Sequence, residues 1–545
     1  MKPIAWIYKY CRKYVWAIVL LAAAGMLSAG GFILLALISS RLLDTVTGVK
    51  NGNGMVYCGL LAVIVVLQGI LNIFYSNLRM HVMGKTEIAM QKGILETICK
   101  KKYSEITHIH SGELLNRFTS DIEVITQGIV EIVPQFMALT TRLLTGLLVL
   151  FSIDASFTLC VLGIGFALCL GSRIYSRHFR HLHREVQESG GKVRSFMQEC
   201  VENLQVIKSF SNEQMIRKNL QDRQQVCYQK KVRRNAASNV ANTAAYVIFT
   251  GGYYAALAWG AFRIAEGVLT FGGLTAFLQI LNQLRMPFRN VSGLIPRYYS
   301  MLSSAERIME LEQMEDESAQ AVLQNPEHFY ESMRSLAFDK VTFSYGDREV
   351  LSEFSFSVKK GELAVLMGTS GRGKSTVMKL LLGLYSCQSG RIFFETEKQE
   401  VLADAGTRCM FAYVPQGNLI LSGTIRENIA FFQSGLSEQA IVKAAKAACI
   451  WEYIQQLPQG LDTVLREKGA GLSEGQIQRI AIARAICSGA PILLLDECTS
   501  ALDEETEQEV LIHLKEMKTK TILCVSHRRA ALECCDRALK IEEKV

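Results

Sequence analysis

Apolar residues along this chain fall into two regimes. Between residues 14 and 302 they come in six long runs, approximately 14–41, 55–77, 124–151, 155–176, 237–262 and 269–302. Each is long enough to cross a bilayer as a helix, which takes about 20 residues. From Leu336 onward the apolar runs are short and alternate with helical patterns, the mark of an α/β domain. The connections after runs one, three and five are short (Leu42–Gly54, Ser152–Asp154, Arg263–Val268). Those after runs two and four (Arg79–Glu123, Arg177–Ala236) are long, basic and helical in period, which predicts spans that continue past the bilayer as stalks. Residues 1–13 set Ile4, Trp6, Ile7 and Tyr10 among Lys2, Lys9, Arg12 and Lys13. That pattern predicts a helix lying in the membrane interface, because the run behind it is too long for a signal peptide. A polar stretch with Asn325-Pro326 predicts a linker. The expected organisation is a membrane domain over 1–317, a linker over 318–335 and an α/β domain over 336–545.

Composition fits that division. Of 545 residues, 49% are hydrophobic and 20% charged, with a mean hydropathy of +0.18, as a membrane half joined to a soluble half requires. Residues 1–310 carry about +15 and the remainder about −7, summing to the +8 of the whole chain. The basic excess sits beside the apolar runs and places the N-terminus and both long connections in the cytosol. It is explained by topology, so nucleic-acid binding is not expected. The 15 cysteines are scattered without zinc-binding spacing and read as reduced packing residues.

Some polar residues fall inside the runs: Arg142 in the third, and Gln279, Asn282, Gln283, Arg285 and Arg289 in the sixth. Ionisable residues at membrane depth are costly and mark function by default. Two readings stand. Arg142 and Arg285 line a cavity that favours an anionic or zwitterionic cargo, or they pair with carbonyls or a carboxylate inside the bundle.

The candidate chemistry lies in the second half. Gly368-Thr369-Ser370-Gly371-Arg372-Gly373-Lys374-Ser375-Thr376 fits G-x-x-x-x-G-K-[ST], between an apolar strand (Leu363–Met367) and a helix start. Its glycines let backbone N–H groups face a phosphate, Lys374 reaches the β- and γ-phosphates, and Ser375 is placed for Mg²⁺. Leu493-Leu494-Leu495-Asp496 is a buried strand ending in an acid suited to the same ion, and Glu497 follows, placed as a general base toward water. Gln416, after the strand ending at Val414, can ligate Mg²⁺ or orient water. Tyr345 can stack on adenine, and His527 ends another strand, where ligands gather in open α/β sheets. Leu472-Ser473-Glu474-Gly475-Gln476 opens a helix and offers a second anion site. One nucleotide needs one phosphate loop, so a second anion site predicts that a neighbouring chain's nucleotide is served, hence a dimer.

With these residues together, the chain resembles an ATP-binding-cassette (ABC) transporter half-subunit of the exporter type. The resemblance covers essentially the whole chain and is most specific over 336–535. It implies six spans followed by one cassette, with ATP and Mg²⁺ as cofactors and two ATPs sandwiched between two cassettes. Tyr345 corresponds to the adenine-stacking aromatic and Gly368–Ser375 to the phosphate loop. Gln416 corresponds to the glutamine loop that senses the membrane domain. Ser473, Gly475 and Gln476 correspond to the signature segment, Asp496 to the Mg²⁺-anchoring acid and Glu497 to the catalytic base. Ser500-Ala501-Leu502-Asp503 corresponds to the loop crossing the dimer interface, and His527 to the switch histidine. Gly112–Arg117 and Glu202–Phe210 sit where the coupling helices lie.

Two departures stand out. Glu474 occupies a position that is most often Gly, and Arg466 stands where a Gly often precedes the acid at Glu467. The expected function is ATP-driven transport, most simply export, by a homodimer or a heterodimer with a second half-transporter. The expected location is a bacterial cytoplasmic membrane. An importer on the same architecture is the alternative, and an ATP-gated channel a weaker one because Glu497 is kept. The cargo tilts toward anionic or amphiphilic molecules.

Overall fold

The computed structural model describes residues 3–317, 323–369, 371–417, 420–431, 433, 435–466, 469 and 471–541, with backbone alone for 160–161, 164–178, 180, 245 and 285–292. The chain divides into two compact units, one of residues 1–95 and 112–312, the other of 96–111 and 313–545.

The first unit is helical. A short helix α1 (Pro3–Cys11) precedes α2 (Val15–Val46) and α3 (Gly54–Ile98). After α4 (Tyr103–Ile106), which belongs to the second unit, come α5 (Ser111–Asn116), α6 (Ile122–Ile153), α7 (Ala155–Glu202), α8 (Leu204–Ser209), α9 (Glu213–Ala265) and α10 (Phe271–Gln313). The stalk reading is borne out in length: α3, α7, α9 and α10 have 45, 48, 53 and 43 residues, far more than a bilayer needs. Among the described residues, Pro3–Val46, Gly54–Ile98 and Ser111–Ile153 are long and apolar enough to cross a membrane.

Polar knots fasten these helices. Trp6 is buried, and its indole N–H donates to Glu312 Oε2 at 2.7 Å. Tyr10 donates to the other oxygen of the same carboxylate at 2.9 Å, so α1 is tied to the end of α10. Asp121 is buried and accepts from Arg307 Nε at 2.9 Å and Ser304 Oγ at 2.9 Å, and it also binds Arg307 Nη2. Arg117 donates to Arg307 O at 2.6 Å and to Glu310 at 3.0 Å. Gly112–Arg117, one of the two candidate coupling segments, is helical: it is the first part of a helix that runs through Arg117–Asp121 into α6 and is pinned to α10. The short helix before it, α4, carries Tyr103, whose ring meets Tyr385.

The second unit begins with strand-like pairing. Lys102 N donates to Glu315 O at 3.0 Å and Glu317 N to Lys100 O at 2.8 Å. Residues 326–332 form helix α11 (Pro326–Ser332), capped by Asn325, and β1 opens at Met333. An antiparallel sheet contains β1 (Met333–Tyr345), β2 (Arg348–Lys359), β4 (Ser389–Thr396) and β5 (Glu400–Leu402), in the order β2-β1-β4-β5. A five-stranded parallel sheet has the order β11-β3-β10-β9-β6. Its strands are β3 (Leu363–Met367), β6 (Phe411–Val414), β9 (Ile492–Asp496), β10 (Thr521–Val525) and β11 (Arg537–Lys540).

The sequence explains this sheet. In β3, β9 and β10 alternate residues enter two different cores. Leu363, Val365, Leu493, Leu495, Ile522 and Cys524 pack on one face. Ala364, Leu366, Ile492, Leu494, Leu523 and Val525 pack on the other, with β1 and β4. A strand buried on both faces must be apolar at every position, which is why these runs are continuous. Helix α12 (Lys374–Leu381) follows the phosphate loop, α16 (Glu474–Cys487) follows Ser473, and α17 (Glu504–Glu516) is capped by Asp503. The cysteines are free thiols among the described residues. Burial pushes Cys524 up to about 12 and Cys498 well above its usual value, as expected of packing residues.

The Asp121 knot makes a testable demand. Alanine at 121 leaves Arg307 and Ser304 without their acceptor. Arg307 is partly exposed, so solvent recovers some of the loss, and the expected cost is about 1–2 kcal/mol. Thermal melts of detergent-solubilised Asp121→Ala are expected to shift down by several degrees, and an unchanged melt would refute the assignment.

Candidate functional site: the polar edge of the parallel sheet

Four parallel strands end side by side, and each delivers a polar group at its carboxyl end, where ligands bind in open α/β sheets. β3 runs into the phosphate loop, β10 into His527, β9 into Asp496 and Glu497, and β6 into Gln416. The loop turns into α12 through Gly373, at φ +88°, where an added Cβ would lie 2.6 Å from Val350 Cγ1. Both facts require glycine there. Ser370 lies outside the described residues.

Lys374 is buried at the centre. Its ammonium donates to Gly368 O at 2.6 Å and Thr369 O at 3.2 Å, and it lies 2.7 Å from His527 Nε2. An ammonium has no lone pair, so His527 accepts through Nε2 and carries its proton on Nδ1. Glu497 Oε1 is 4.0 Å from the same ammonium, and Glu497 Oε2 accepts from Gln416 Nε2 at 2.5 Å. Glu497 itself has φ +48°, a left-handed backbone that a non-glycine residue adopts at a cost and that clusters at functional sites. The structure thus brings Lys374, Gln416, Glu497 and His527 into one cluster.

Asp496 is buried beside them. The Tyr413 hydroxyl donates to Oδ2 at 3.2 Å, while Oδ1 is buried with no hydrogen-bond partner among the described residues. Burial raises the Asp496 pKa, and the Ser375 and Tyr413 hydroxyls oppose it. An unpartnered buried carboxylate oxygen is costly, and a hard cation taking oxygen ligands would satisfy it. Tyr413 was not singled out from the sequence. Its signal was a lone hydroxyl in an otherwise apolar strand.

Tyr345 stands edge-on to Phe343 (4.8 Å) and to Tyr385 (5.2 Å), and its hydroxyl accepts from Thr376 Oγ1 at 3.5 Å. Tyr385 in turn meets Tyr103 of α4 edge-on at 5.9 Å. Arg372 Nε donates to Thr369 Oγ1 at 3.1 Å.

The signature segment forms its own cap, and its residues are not in the Lys374 cluster. Ser473 Oγ accepts from Gln476 N at 3.2 Å, and Gln476 Oε1 accepts from Ser473 N at 2.9 Å, a reciprocal capping box at the head of α16. Because Ser473 Oγ is the acceptor, its O–H remains available to an anion. An added Cβ at Gly475 would lie 2.9 Å from Ala501 O, so the close approach of this segment to the 500–503 loop requires glycine. Glu474 is exposed in the first turn of α16, where the helix dipole favours an acid. Arg466 is exposed, and Glu467 lies outside the described residues.

The chain matches the ABC transporter transmembrane region over residues 18–288 and the ABC transporter cassette over residues 351–500. It is 30% identical over 456 residues to an ATP-dependent lipid A-core flippase of Desulfotalea psychrophila, covering 83% of this chain and 78% of that protein. It is 28% identical over 503 residues to ABC transporter B family member 1 of Dictyostelium discoideum, covering 89% of this chain and about half (54%) of that longer protein. Among solved structures, a bacterial Atm1-family ABC exporter with ATP bound aligns with a TM-score of 0.77 at 23% identity, over 98% of this chain and 94% of that one, and shows the fold. The chain belongs to the ABC transporter family. It is a multi-pass membrane protein with an ATP-binding cassette, an ATPase coupled to transmembrane transport.

The buried Asp496 predicts a sign. A carboxyl whose pKa rises on folding favours the fold while protonated and costs stability once ionised. Asp496→Asn removes that cost. Without nucleotide or divalent cation, the variant is expected to melt above wild type at neutral pH, with the gap closing as the pH falls toward the ordinary carboxylate range. A gap that does not change with pH would contradict the burial argument.

Proposed function

We propose that the chain is an exporter that works as a dimer in a bacterial cytoplasmic membrane, with its N-terminus and cassette in the cytosol and two ATPs held between two cassettes. The observation that carries this reading is the convergence of Lys374, Gln416, Glu497 and His527 around one ammonium, beside an Asp496 oxygen with no partner among the described residues. The relatives' exporter and flippase names support the direction.

In this reading the phosphate loop, Gly368 to Thr376, holds the phosphates, and Lys374 exchanges its carbonyl partners for phosphate oxygens. Tyr345 stacks on adenine. Ser375, Gln416 and Asp496 would hold Mg²⁺, which would supply charge neutralisation on the phosphates. Glu497 takes a proton from the attacking water, and Gln416 orients that carboxylate. His527 contacts the γ-phosphate. Ser473, Gly475 and Gln476 close on the partner's ATP, with the free Ser473 O–H as donor. Tyr103 and the apolar, exposed side chains of Leu204 and Val206 in α8 and of Phe210 just after it transmit cassette closure to the spans.

The cargo is anionic or amphiphilic. Arg142 lies over the Phe32 ring at 5.1 Å, and its buried Nε has no partner among the described residues. Gln283 donates to Phe32 O at 3.1 Å while its own carbonyl oxygen has no partner among the described residues. No acid is bonded to Arg142 among the described residues, which favours a cation kept for cargo. The side chain of Arg285 lies outside the described residues.

Two experiments test this reading. ATPase activity in lipid nanodiscs is expected for wild type alone, with Glu497→Gln lowering kcat by about 100-fold or more. A wild type that binds ATP but stays inactive sinks the homodimer with two complete sites. In proteoliposomes, Arg142→Ala is expected to cut transport of a fluorescent anionic lipid by about tenfold, equivalent to roughly 1.4 kcal/mol, while basal ATPase persists. Undiminished transport sinks the role given to Arg142.

A further inference from the structure

One polar cluster in the cassette is left unused by this reading. Glu507, in α17, is 1% exposed. Its Oε1 accepts from Thr499 Oγ1 at 2.7 Å and its Oε2 from Arg528 Nη1 at 3.0 Å. Arg528 directly follows His527. The same guanidinium donates to Leu502 O at 2.6 Å and to Ser500 O at 2.5 Å. On the other side, Gln478 of α16 accepts from Ala501 N at 3.0 Å and donates to Ser500 Oγ at 3.2 Å. Residues 500–502 are therefore gripped from both the His527 end of β10 and the signature helix.

A buried carboxylate is expensive to keep unless something consumes all its lone pairs. Its position here is costly for a purely structural purpose, because well-packed apolar residues of the same volume often stabilise as well or better. What the pair supplies is geometry. A guanidinium is a rigid fork with five donors and can hold one carboxylate and two carbonyls at once. Through it the switch histidine and the 500–503 loop become one mechanical piece, with Thr499 as the second tether just beyond Glu497.

We propose that Arg528, held by the buried Glu507, is a positioning residue for hydrolysis that locks the Ser500–Asp503 loop to His527, so that engagement of one ATP and presentation of the loop to the partner's site occur together. This rests on the reading above that the loop crosses a cassette dimer. Neither residue touches nucleotide in this account. Loss of the lock is therefore expected to spare ATP binding and to reduce turnover and cooperativity.

The test uses the full-length protein in nanodiscs. Wild type, Arg528→Met, Arg528→Lys, Glu507→Leu and Glu507→Gln are compared for kcat, KM, the Hill coefficient for ATP, the Kd of a fluorescent ATP analogue and the melting temperature. Arg528→Met and Glu507→Leu are expected to lose roughly 10- to 100-fold in kcat, as small misplacements of catalytic groups do. Their Hill coefficient should fall toward unity while the analogue Kd stays within about twofold, a modest binding change. Glu507→Gln keeps an acceptor for Arg528 and a partner for Thr499, so it should stay close to wild type. Arg528→Lys keeps the charge but cannot span three acceptors, and it should lose turnover even if the Leu variant fails to fold. Wild-type kcat and cooperativity in folded Arg528→Lys and Arg528→Met overturn the proposal. So does a rise in KM at constant kcat. Absence of ATPase in the wild-type control overturns the broader reading instead, a result separate from any confined to the variants.

Discussion

The ammonium of Lys374 is the point on which the cassette's polar edge depends. It is almost fully buried, and a buried charge must be surrounded by acceptors. Two carbonyls of its own loop, the ring nitrogen of His527 and, farther away, the Glu497 carboxylate supply them. His527 is 153 residues away in sequence, so the cluster exists only because β10 lies next to β3 in the sheet. The same cation is suited to take phosphate oxygens, because its present partners include backbone carbonyls that gain nothing unique from it. In the proposed function, binding of nucleotide is an exchange of acceptors around a charge already in place, with little reorganisation.

Charge at the edge is sustained by apolar order beneath it. β3, β9 and β10 bury both faces, feeding two cores that hold the strand ends in fixed register. The polar groups sit where those strands stop. In the helical unit the relation is reversed. Long helices present little burial of their own, and polar knots such as Asp121–Arg307 and Glu312 with Trp6 and Tyr10 fix which helices adjoin.

Much of the site was legible because its chemistry is local. A phosphate loop needs glycines, a lysine and a hydroxyl within nine residues, and a strand ending in Asp496-Glu497 announces itself by its apolar run. The partners of the candidate coupling segment were not legible. Ser111–Arg117 has the composition of a turn, yet the segment is helical and Arg117 finds carbonyl and carboxylate partners on α10. Tyr413, Glu507 and Arg528 escaped notice because each acts through partners on other elements. An acid in a helix or an arginine after a strand has no pattern that tells it from a solvated surface residue.

The sequence by itself determined the two-part organisation, the long spans, the strand runs and the list of residues able to handle a phosphate, because hydrophobic period and short-range motif chemistry are written in adjacent positions. Only the tertiary structure decided which of those residues meet, that one Asp496 oxygen has no partner among the described residues, that Ser473 and Gln476 are engaged in a helix cap, and that residues 500–502 are gripped from two sides. Those outcomes depend on sheet order and helix packing, which set contacts between residues tens to hundreds of positions apart. No local pattern encodes such contacts, because the energy that selects them comes from burying distant surfaces together.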